Sequence, residues 1–527
     1  MPSNVIDAKS ADKKKPLEVQ DVEKEFFISV FFDGTNNKMN TQQKDAQSRN
    51  GSTPLRQKDT NVAALSCLVD NKTDREGGKV KYYNHIYIEG PGTTYDGDKK
   101  DKGWFQKLKD KPSEVVGMAV GTWSQGVIAK VARGVSEVHR YLYGKTLQRE
   151  RPKVVVHFCV YGFSRGAACA RLFAYLVARA ADNNATIALE KVFKDYLYGE
   201  AKRIYTSRLT FLDEFNKANR IVEFLGIYDT VSSIGIIDES GLSNIEAVEE
   251  NTTIFHNLNA RDYGLYSPQL GNVHRTFHIC AMDEFRKNFA ITDVGINVPA
   301  SCIEVFVPGC HSDVGGSYED DQESSLCLKF IRGYKLTKLV MKDPRYPGKG
   351  TGYVNKQNLM ALGWAIEKSW YKEAWDSISS YNDNALMNVF QDTVSYTRDV
   401  KRGLSNITFV MMWDRTHKDV SKVWGCDVFN DYFPLDDFQI PKALSSTANL
   451  MKANNLQPGK RSWIIPGGSL DSAAYRDLRS NYIHFSATDR FGISIVNAPN
   501  WKDNLLCRIV YHGDRNDSSI HYMQDYD

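Results

Sequence analysis

The 527-residue chain has no long apolar run, no closely paired cysteines, no internal repeat and no excess of one charge, and each gap removes a class of protein. No stretch reaches the roughly 20 apolar residues that a membrane-crossing helix needs. The first 25 residues are polar and contain Lys13-Lys14-Lys15. They lack the apolar centre of a secretory leader, so they are expected to form a flexible tail on a chain that folds in the cytoplasm and needs a dedicated machine to leave it. Nine cysteines, at positions 67, 159, 169, 280, 302, 310, 327, 426 and 507, are odd in number and form no C-x-x-C pair. That argues against a disulfide framework or a zinc ribbon and for reduced, mostly buried thiols. With 67 basic against 64 acidic residues the formal charge is +3, too small for a global field that would recommend a nucleic acid partner.

What is present is core material: 42% of residues are hydrophobic and 12% aromatic, ample for a packed core in a chain long enough for two or three domains. Runs rich in β-branched and aromatic residues predict strands at 26–32, 81–88, 154–161, 221–227, 274–282 and 302–307, and a helix at 122–142. Most of these strands lead into a polar loop with Asp, Glu or His. Strands interleaved with helices predict an α/β fold, a mostly parallel sheet covered on both faces, whose ligands bind beyond the carboxyl ends of the strands.

Gly162-Phe163-Ser164-Arg165-Gly166 stands directly after the strand at 154–161 and before a small-residue helix. This is the setting of a nucleophile elbow, where a strained serine projects its hydroxyl above the sheet edge. Gly162 and Gly166 would let strand and helix approach closely, and Leu172, Phe173, Leu176 and Val177 would face the sheet. The Arg165 N–H is the expected oxyanion donor, with Gly34 and Thr35 of the loop Asp33-Gly34-Thr35 completing the hole. A buried turn serine that caps the next helix would leave the same letters.

A serine nucleophile needs an imidazole base, and the imidazole needs a carboxylate. Asp229, in Tyr228-Asp229-Thr230-Val231, is the first candidate for the acid. Asp283 is the alternative, although Arg286 nearby suits it for an ion pair. His311, in Gly309-Cys310-His311-Ser312-Asp313, follows a strand and is the candidate base, with His484 as competitor inside an apolar run. Asp33, Asp229, Asp313 and His311 together would suit a divalent cation, but their spacing matches no metal motif, and neither metal nor other cofactor is expected.

Four segments, Phe32-Asp33-Gly34-Thr35-Asn36-Asn37, Tyr161-Gly162-Phe163-Ser164-Arg165-Gly166-Ala167, Gly226-Ile227-Tyr228-Asp229-Thr230-Val231 and Pro308-Gly309-Cys310-His311-Ser312-Asp313-Val314-Gly315-Gly316, together resemble an α/β-hydrolase-like family. Its best-known members are type VI secretion phospholipase effectors of the first Tle family. Tyr87-Ile88-Glu89-Gly90-Pro91-Gly92-Thr93 and Leu404-Ser405-Asn406-Ile407 resemble two further family blocks, and Tyr228 stands where the family commonly has Phe. The resemblance implies an α/β-hydrolase fold with Ser164, Asp229 and His311 as catalytic triad. It also implies phospholipase A activity on the glycerophospholipids of a rival bacterium, delivery from the producer's cytoplasm into the target's periplasm on a VgrG-like secretion spike, and a cognate immunity protein.

These readings divide the chain into a tail at 1–25, a catalytic domain at 26–320, an inserted helical region at 321–403 suited to membrane docking, and a C-terminal region at 404–527 completing or packing on the catalytic domain. Within the insertion, 358–375 reads as an amphipathic helix. The stretch 92–112 mixes six lysines and four aspartates with Trp104, Phe105 and Leu108, a composition suited to a lid or to an anionic lipid surface. Two other functions fit the same letters: a serine esterase or acyltransferase acting on a different ester, and a non-catalytic adaptor of a secretion apparatus.

Overall fold

Glu23–Phe32 forms the strand on which the sheet is organised (β1), because its side chains alternate between two apolar faces. The computed structural model describes residues 23–35, 37–39, 59–76, 78–91, 93, 127–146, 154–178, 219–232, 273–286, 289–318, 322–332, 363–364, 370–380, 387–429, 439–453, 456–486, 501–502, 505–512 and 521–523. After β1 come α1 (Asn61–Ser66), β2 (Lys72–Glu76), β3 (Lys79–Ile88), α2 (Val127–Lys145), β4 (Val155–Phe163) and α3 (Arg165–Val177). Next are β5 (Asn219–Tyr228), β6 (Val273–Ala281), β7 (Ile291–Thr292), β8 (Cys302–Val307) and α4 (His311–Gly315). The rest comprises β9 (Gln322–Arg332), β10 (Trp370–Ser380), β11 (Met387–Val400), α5 (Leu404–Trp424), α6 (Ser445–Ala453), β12 (Lys460–Trp463) and α7 (Ala473–Asn481), then the short strands β13 (Trp501–Lys502), β14 (Leu505–Leu506), β15 (Ile509–Tyr511) and β16 (His521–Tyr522).

The main sheet has eight strands in the order β12-β8-β6-β5-β4-β1-β3-β2. All neighbours are parallel except the β2–β3 pair at one edge. This is the α/β architecture with a mostly parallel sheet. Phe26, Ile28, Val30 and Phe32 of β1, with Val156, Phe158 and Val160 of β4, bury against α2 and α3. Phe27, Phe31, Cys159, Tyr161 and Phe163 face the opposite way, into a core that includes α1 and α5. Each fully buried Phe contributes about 1.5–3 kcal/mol of transfer free energy. Rings also stack across the strands, Phe31 on Tyr161 at 4.7 Å and Phe27 on Tyr83 at 4.9 Å.

Strand order reverses at β1, which pairs with β3 on one side and β4 on the other. The loops after β1 and β4 therefore splay apart, and a crevice opens at their carboxyl ends. A register shift opposite Phe158 and Cys159 in the β4–β5 ladder then aligns Phe163 with Tyr228, so that Ser164 and Asp229 leave the sheet side by side. β4 itself runs two residues past the predicted end of the strand, through Gly162 and Phe163, which makes Ser164 the first residue off the ladder.

The glycines of the elbow are sterically required. A β-carbon on Gly162 would lie 2.4 Å from the Gly166 carbonyl oxygen, and one on Gly166 would lie 2.2 Å from the Asp33 carbonyl oxygen. Gly→Ala in a helix ordinarily stabilises by up to about 1 kcal/mol, and a backbone clash in a close-packed interior outweighs that. Gly166→Ala is thus expected to destabilise the chain by more than about 2 kcal/mol, read as a lower urea midpoint.

The described residues of 321–403 correct the helical expectation for that region. β9, β10 and β11 pair antiparallel in the order β10-β11-β9, with β10 matched to β11 from Trp370↔Thr397 to Ser380↔Met387. Trp370, Tyr371, Ala374, Trp375 and Ile378 fall at helical spacing, yet Trp, Tyr and Ile also suit strands, and the presence of a pairing partner decides between the two. The tail at 1–22, the lid candidate at 94–112 and most of the proposed helix at 358–369 lie outside the described residues. No helix among the described residues is long and apolar enough to cross a membrane. The described cysteines are free thiols.

Candidate active site

Ser164 sits between β4 and α3 with φ 60° and ψ −128°, a backbone conformation that non-glycine residues rarely adopt. The surrounding backbone holds it there: the Ser164 N–H donates to the Tyr228 carbonyl at 3.0 Å, and the Ser164 carbonyl accepts from Ala167 at 3.0 Å and Val231 at 3.2 Å. Its side chain makes no capping hydrogen bond to α3, which sets aside the helix-capping reading of the motif. Only 2% of the residue is exposed, and it stands at the amino end of a helix whose dipole favours negative charge.

Asp229 follows β5 with φ 45° and is completely buried. Its Oδ2 lies 2.5 Å from His311 Nδ1, while Oδ1 accepts the Ala281 N–H at 2.8 Å. Two further bonds come from Arg508, whose Nη1 and Nη2 donate to Oδ1 at 2.6 Å and Oδ2 at 2.7 Å. Burial raises the affinity of this carboxyl for a proton, but the Arg508 guanidinium and the His311 hydrogen bond outweigh it and hold Asp229 well below the usual carboxylate range.

His311 opens α4, a single turn whose Asp313 carboxylate accepts the Cys310 N–H at 3.0 Å. The imidazole packs on the Phe163 ring at 4.5 Å between centroids and meets the edge of Phe289 at 4.9 Å. Phe163 immediately precedes Ser164, so this contact sets the ring against the elbow. Gly315 makes room for it, since a β-carbon there would fall 2.0 Å from the Phe163 ring. Burial lowers the proton affinity of His311 despite the opposing pull of Asp229, and Arg286 lowers it further. A neutral His311 that donates from Nδ1 to Asp229 leaves Nε2 as a lone-pair base.

The loop after β1 is braced by Asp33. Its carboxylate accepts from the Thr60 hydroxyl at 2.6 Å, the Gly34 N–H at 2.7 Å and the Tyr87 hydroxyl. Burial pushes the Asp33 carboxyl up to about 6 against these lowering bonds. The Gly34 amide is thus already engaged by Asp33, and the Thr35 and Arg165 amides remain beside it as oxyanion candidates. The Arg165 guanidinium reaches the Thr35 hydroxyl at 3.3 Å and lies 5.5 Å from the centre of the Phe289 ring. Burial, aided by Arg286, pushes it down to about 10.

The competing residues have other partners. Asp283 accepts from the Tyr475 hydroxyl at 2.7 Å, the Gly309 N–H at 3.0 Å and Arg479 Nε at 3.2 Å, so it ties down the loop before His311 without bonding the imidazole. Arg286 pairs with Glu284, not Asp283, and Glu284 also accepts the His311 N–H at 3.3 Å. His484 is buried, binds Asp313 at 2.6 Å and stacks on Tyr318 at 3.8 Å, which makes it a brace of the α4 turn.

Asp33, Asp229 and Asp313, the carboxylates that suggested a cation, are each engaged by protein donors and are not gathered around one point. His278, Cys280 and Glu304 do lie close together. There, however, His278 Nδ1 bonds Glu304 at 2.9 Å, its Nε2 accepts the Thr230 N–H at 3.2 Å, and Arg461 binds Glu304 at 2.6 Å. Both ring nitrogens already have protein partners, so the cluster fits a structural role and not a metal.

Sequence reasoning missed Arg508, Glu284, Thr60 and the partnership of Tyr87 with Asp33. No motif marks Arg508, which joins the site from 279 positions beyond Asp229. A family model described as the catalytic domain of type VI secretion Tle1-like phospholipase effectors matches residues 27–340. No curated protein matches the chain. A solved structure of the Tle1 effector bound to the VgrG spike of the type 6 secretion system aligns at 20% identity and a TM-score of 0.44, over 88% of this chain and 84% of that one. An uncharacterized protein from Pseudomonas aeruginosa aligns at 16% identity and a TM-score of 0.36, over 82% of this chain and 51% of that one.

Proposed function

Because this chain belongs to the family of type VI secretion Tle1-like phospholipase effectors, we propose that it hydrolyses acyl esters of membrane glycerophospholipids, as a phospholipase A, through Ser164, His311 and Asp229. The observation that carries this reading is the 2.5 Å His311–Asp229 hydrogen bond beside a serine held at φ 60°. In the first half-reaction Ser164 Oγ attacks the ester carbonyl while His311 Nε2 takes its proton, and Asp229 holds the ring in the tautomer that makes Nε2 the base. In this reading the Arg165 and Thr35 amides receive the oxyanion. As the tetrahedral adduct collapses, His311 returns the proton to the departing lysophospholipid oxygen. Water then attacks the acyl-serine with the same base, releasing fatty acid and restoring the serine.

Family membership also supports the biological setting: export by the type VI apparatus on a VgrG-like spike, action on lipids reached from the periplasm of a target cell, and protection of the producer by an immunity protein. The deciding experiment incubates the purified chain with phosphatidylethanolamine vesicles and, separately, with a short soluble ester, and measures released acid. Faster turnover on vesicles supports the lipase reading, and hydrolysis of the soluble ester alone would point to another acyl substrate. If a fluorophosphonate probe leaves Ser164 unlabelled, the chain is an adaptor instead.

The pH dependence follows from His311. Its proton affinity lies below the ordinary value of 6.5, and only the neutral ring can act as base. The rate should therefore be level through neutral pH and fall on acidification with a midpoint below 6.5, read from kcat/KM between pH 5 and 8. A midpoint above that value would contradict the environment described for this ring.

A further inference from the structure

Arg508 binds the proposed catalytic acid from the far end of the chain. Its guanidinium is 1% exposed and grips both oxygens of Asp229, at 2.6 and 2.7 Å. The same nitrogens are anchored by main-chain carbonyls, Nη1 on Ala281 and Nη2 on Phe289 at 3.1 Å. The backbone around it is equally fixed. β15 pairs parallel with β7 and antiparallel with β16, the Asp293 N–H donates to the Tyr511 carbonyl at 3.0 Å, and the Met523 N–H donates to the Arg508 carbonyl at 3.0 Å. His512 adds a 2.8 Å bond to Asp293. Arg508, β15, His512, β16 and Met523 lie outside residues 27–340, the part matched by the catalytic-domain family model, whereas their partners Asp229, Ala281, Phe289, β7 and Asp293 lie within it.

We propose that Arg508 is a positioning residue for hydrolysis, and that the active site is complete only when the C-terminal segment carrying it is docked on β7. The inference rests on the reading of Ser164, Asp229 and His311 given above. A carboxylate turns readily about its Cβ–Cγ bond, and one hydrogen bond to an imidazole does not fix its plane. A planar guanidinium bonding both oxygens does. Asp229 thereby presents a single orientation to His311 Nδ1, and the ring presents a single direction for Nε2.

The arrangement has an electrostatic signature. The charged groups around the His311 ring are Asp229 after β5, Glu284 and Arg286 after β6, and Arg508 behind Asp229. Arg508 opposes the imidazolium that forms during turnover, so its main contribution is geometric. Removing its charge strengthens the pull of the remaining carboxylates on a proton at His311 and moves the acid limb of the rate profile to higher pH.

Three variants of the full chain test this: Arg508→Met, Arg508→Lys and Ser164→Ala. For Arg508→Met, kcat is expected to fall about 100-fold, as for a catalytic group displaced by roughly 1 Å. Its acid limb should move to higher pH, and millimolar guanidinium should restore part of the rate. Arg508→Lys keeps the charge but not the fork, so its kcat should fall about 10-fold with KM and the acid limb unchanged. A folded Arg508→Met protein with parental kcat, or with lowered kcat but neither a shifted limb nor guanidinium rescue, overturns the proposal. If the Met variant does not fold, the Lys variant decides: parental kcat overturns the proposal and a selective kcat loss supports it. Hydrolysis surviving in Ser164→Ala would sink the underlying triad reading instead, whereas an inactive Ser164→Ala beside unchanged Arg508 variants would remove only this inference.

Discussion

Ser164→Ala is expected to lower kcat/KM on phospholipid vesicles by about 10^4 to 10^6-fold, or roughly 5–8 kcal/mol of transition-state stabilisation, while leaving the fold intact. The chemical reason is the loss of the hydroxyl proposed to form the acyl intermediate, and the structural reason concerns what stays behind. The Ser164 side chain makes no capping bond, and the positive φ is imposed by main-chain bonds, one donated to Tyr228 and two accepted from Ala167 and Val231, that alanine keeps. The backbone strain, on the order of 1–3 kcal/mol, is common to both residues, so the urea midpoint should stay near the parental value. Vesicle binding should also persist. An alanine variant that still releases fatty acid would show that another group performs the attack.

Asp229→Asn has the second largest expected effect, and it differs by harming activity and stability together. Each Asp229 oxygen accepts two bonds, Oδ1 from Ala281 and Arg508, and Oδ2 from His311 and Arg508. An amide has one acceptor oxygen and one NH2, so either orientation sets a donor against donors. Turned toward His311, the NH2 forces the wrong tautomer and removes the base, a loss of about 10^4 in kcat. Turned the other way, it opposes Ala281 and Arg508. In both cases the buried Arg508 charge loses its counter-ion, which costs about 3–5 kcal/mol.

The parental protein should lose this contribution only in strong acid. Asp229 has a depressed proton affinity in the folded state, so the stability it supplies is fully present above the unfolded value of 3.8 and is lost as pH falls through the lower folded one. Urea midpoints of parent and variant should therefore differ by a nearly constant amount from pH 5 to 8. A variant as stable as the parent would mean that Arg508 does not depend on Asp229.

The parts of the site that were legible in the sequence are those in which one short segment contains the whole physical argument. Gly162 to Gly166 is such a segment: strand, small residue, serine, small residue and helix all lie within reach of one another, and the steric need for both glycines follows from their spacing. Asp229 and His311 could be placed at strand ends by chain order, though their 2.5 Å contact could not be read from it. The Gly34 loop was visible as a loop, but not the side chain that takes its N–H, because Asp33 turns back on the next residue when Thr60 and Tyr87 converge on it. Arg508 stands between Cys507 and Ile509 in a short segment with no periodicity, and its meaning depends entirely on a ladder to Ile291 and Thr292. The strands at 370–400 were misread for the opposite reason: local spacing offered a helix, and the partner strand that overrules it is a matter of tertiary pairing.

Ribosomes release a chain from its beginning, and here the order of emergence has a safety value. The proposed nucleophile, acid and base all leave the exit tunnel nearly 200 residues or more before Arg508 does, to judge from their positions at 164, 229, 311 and 508. A nascent or prematurely terminated polypeptide would thus display the attacking serine without the clamp that aligns its relay. Under the roles proposed for these residues, a cell that makes a phospholipase effector of this family would keep unfinished copies comparatively inactive through the late arrival of that one side chain.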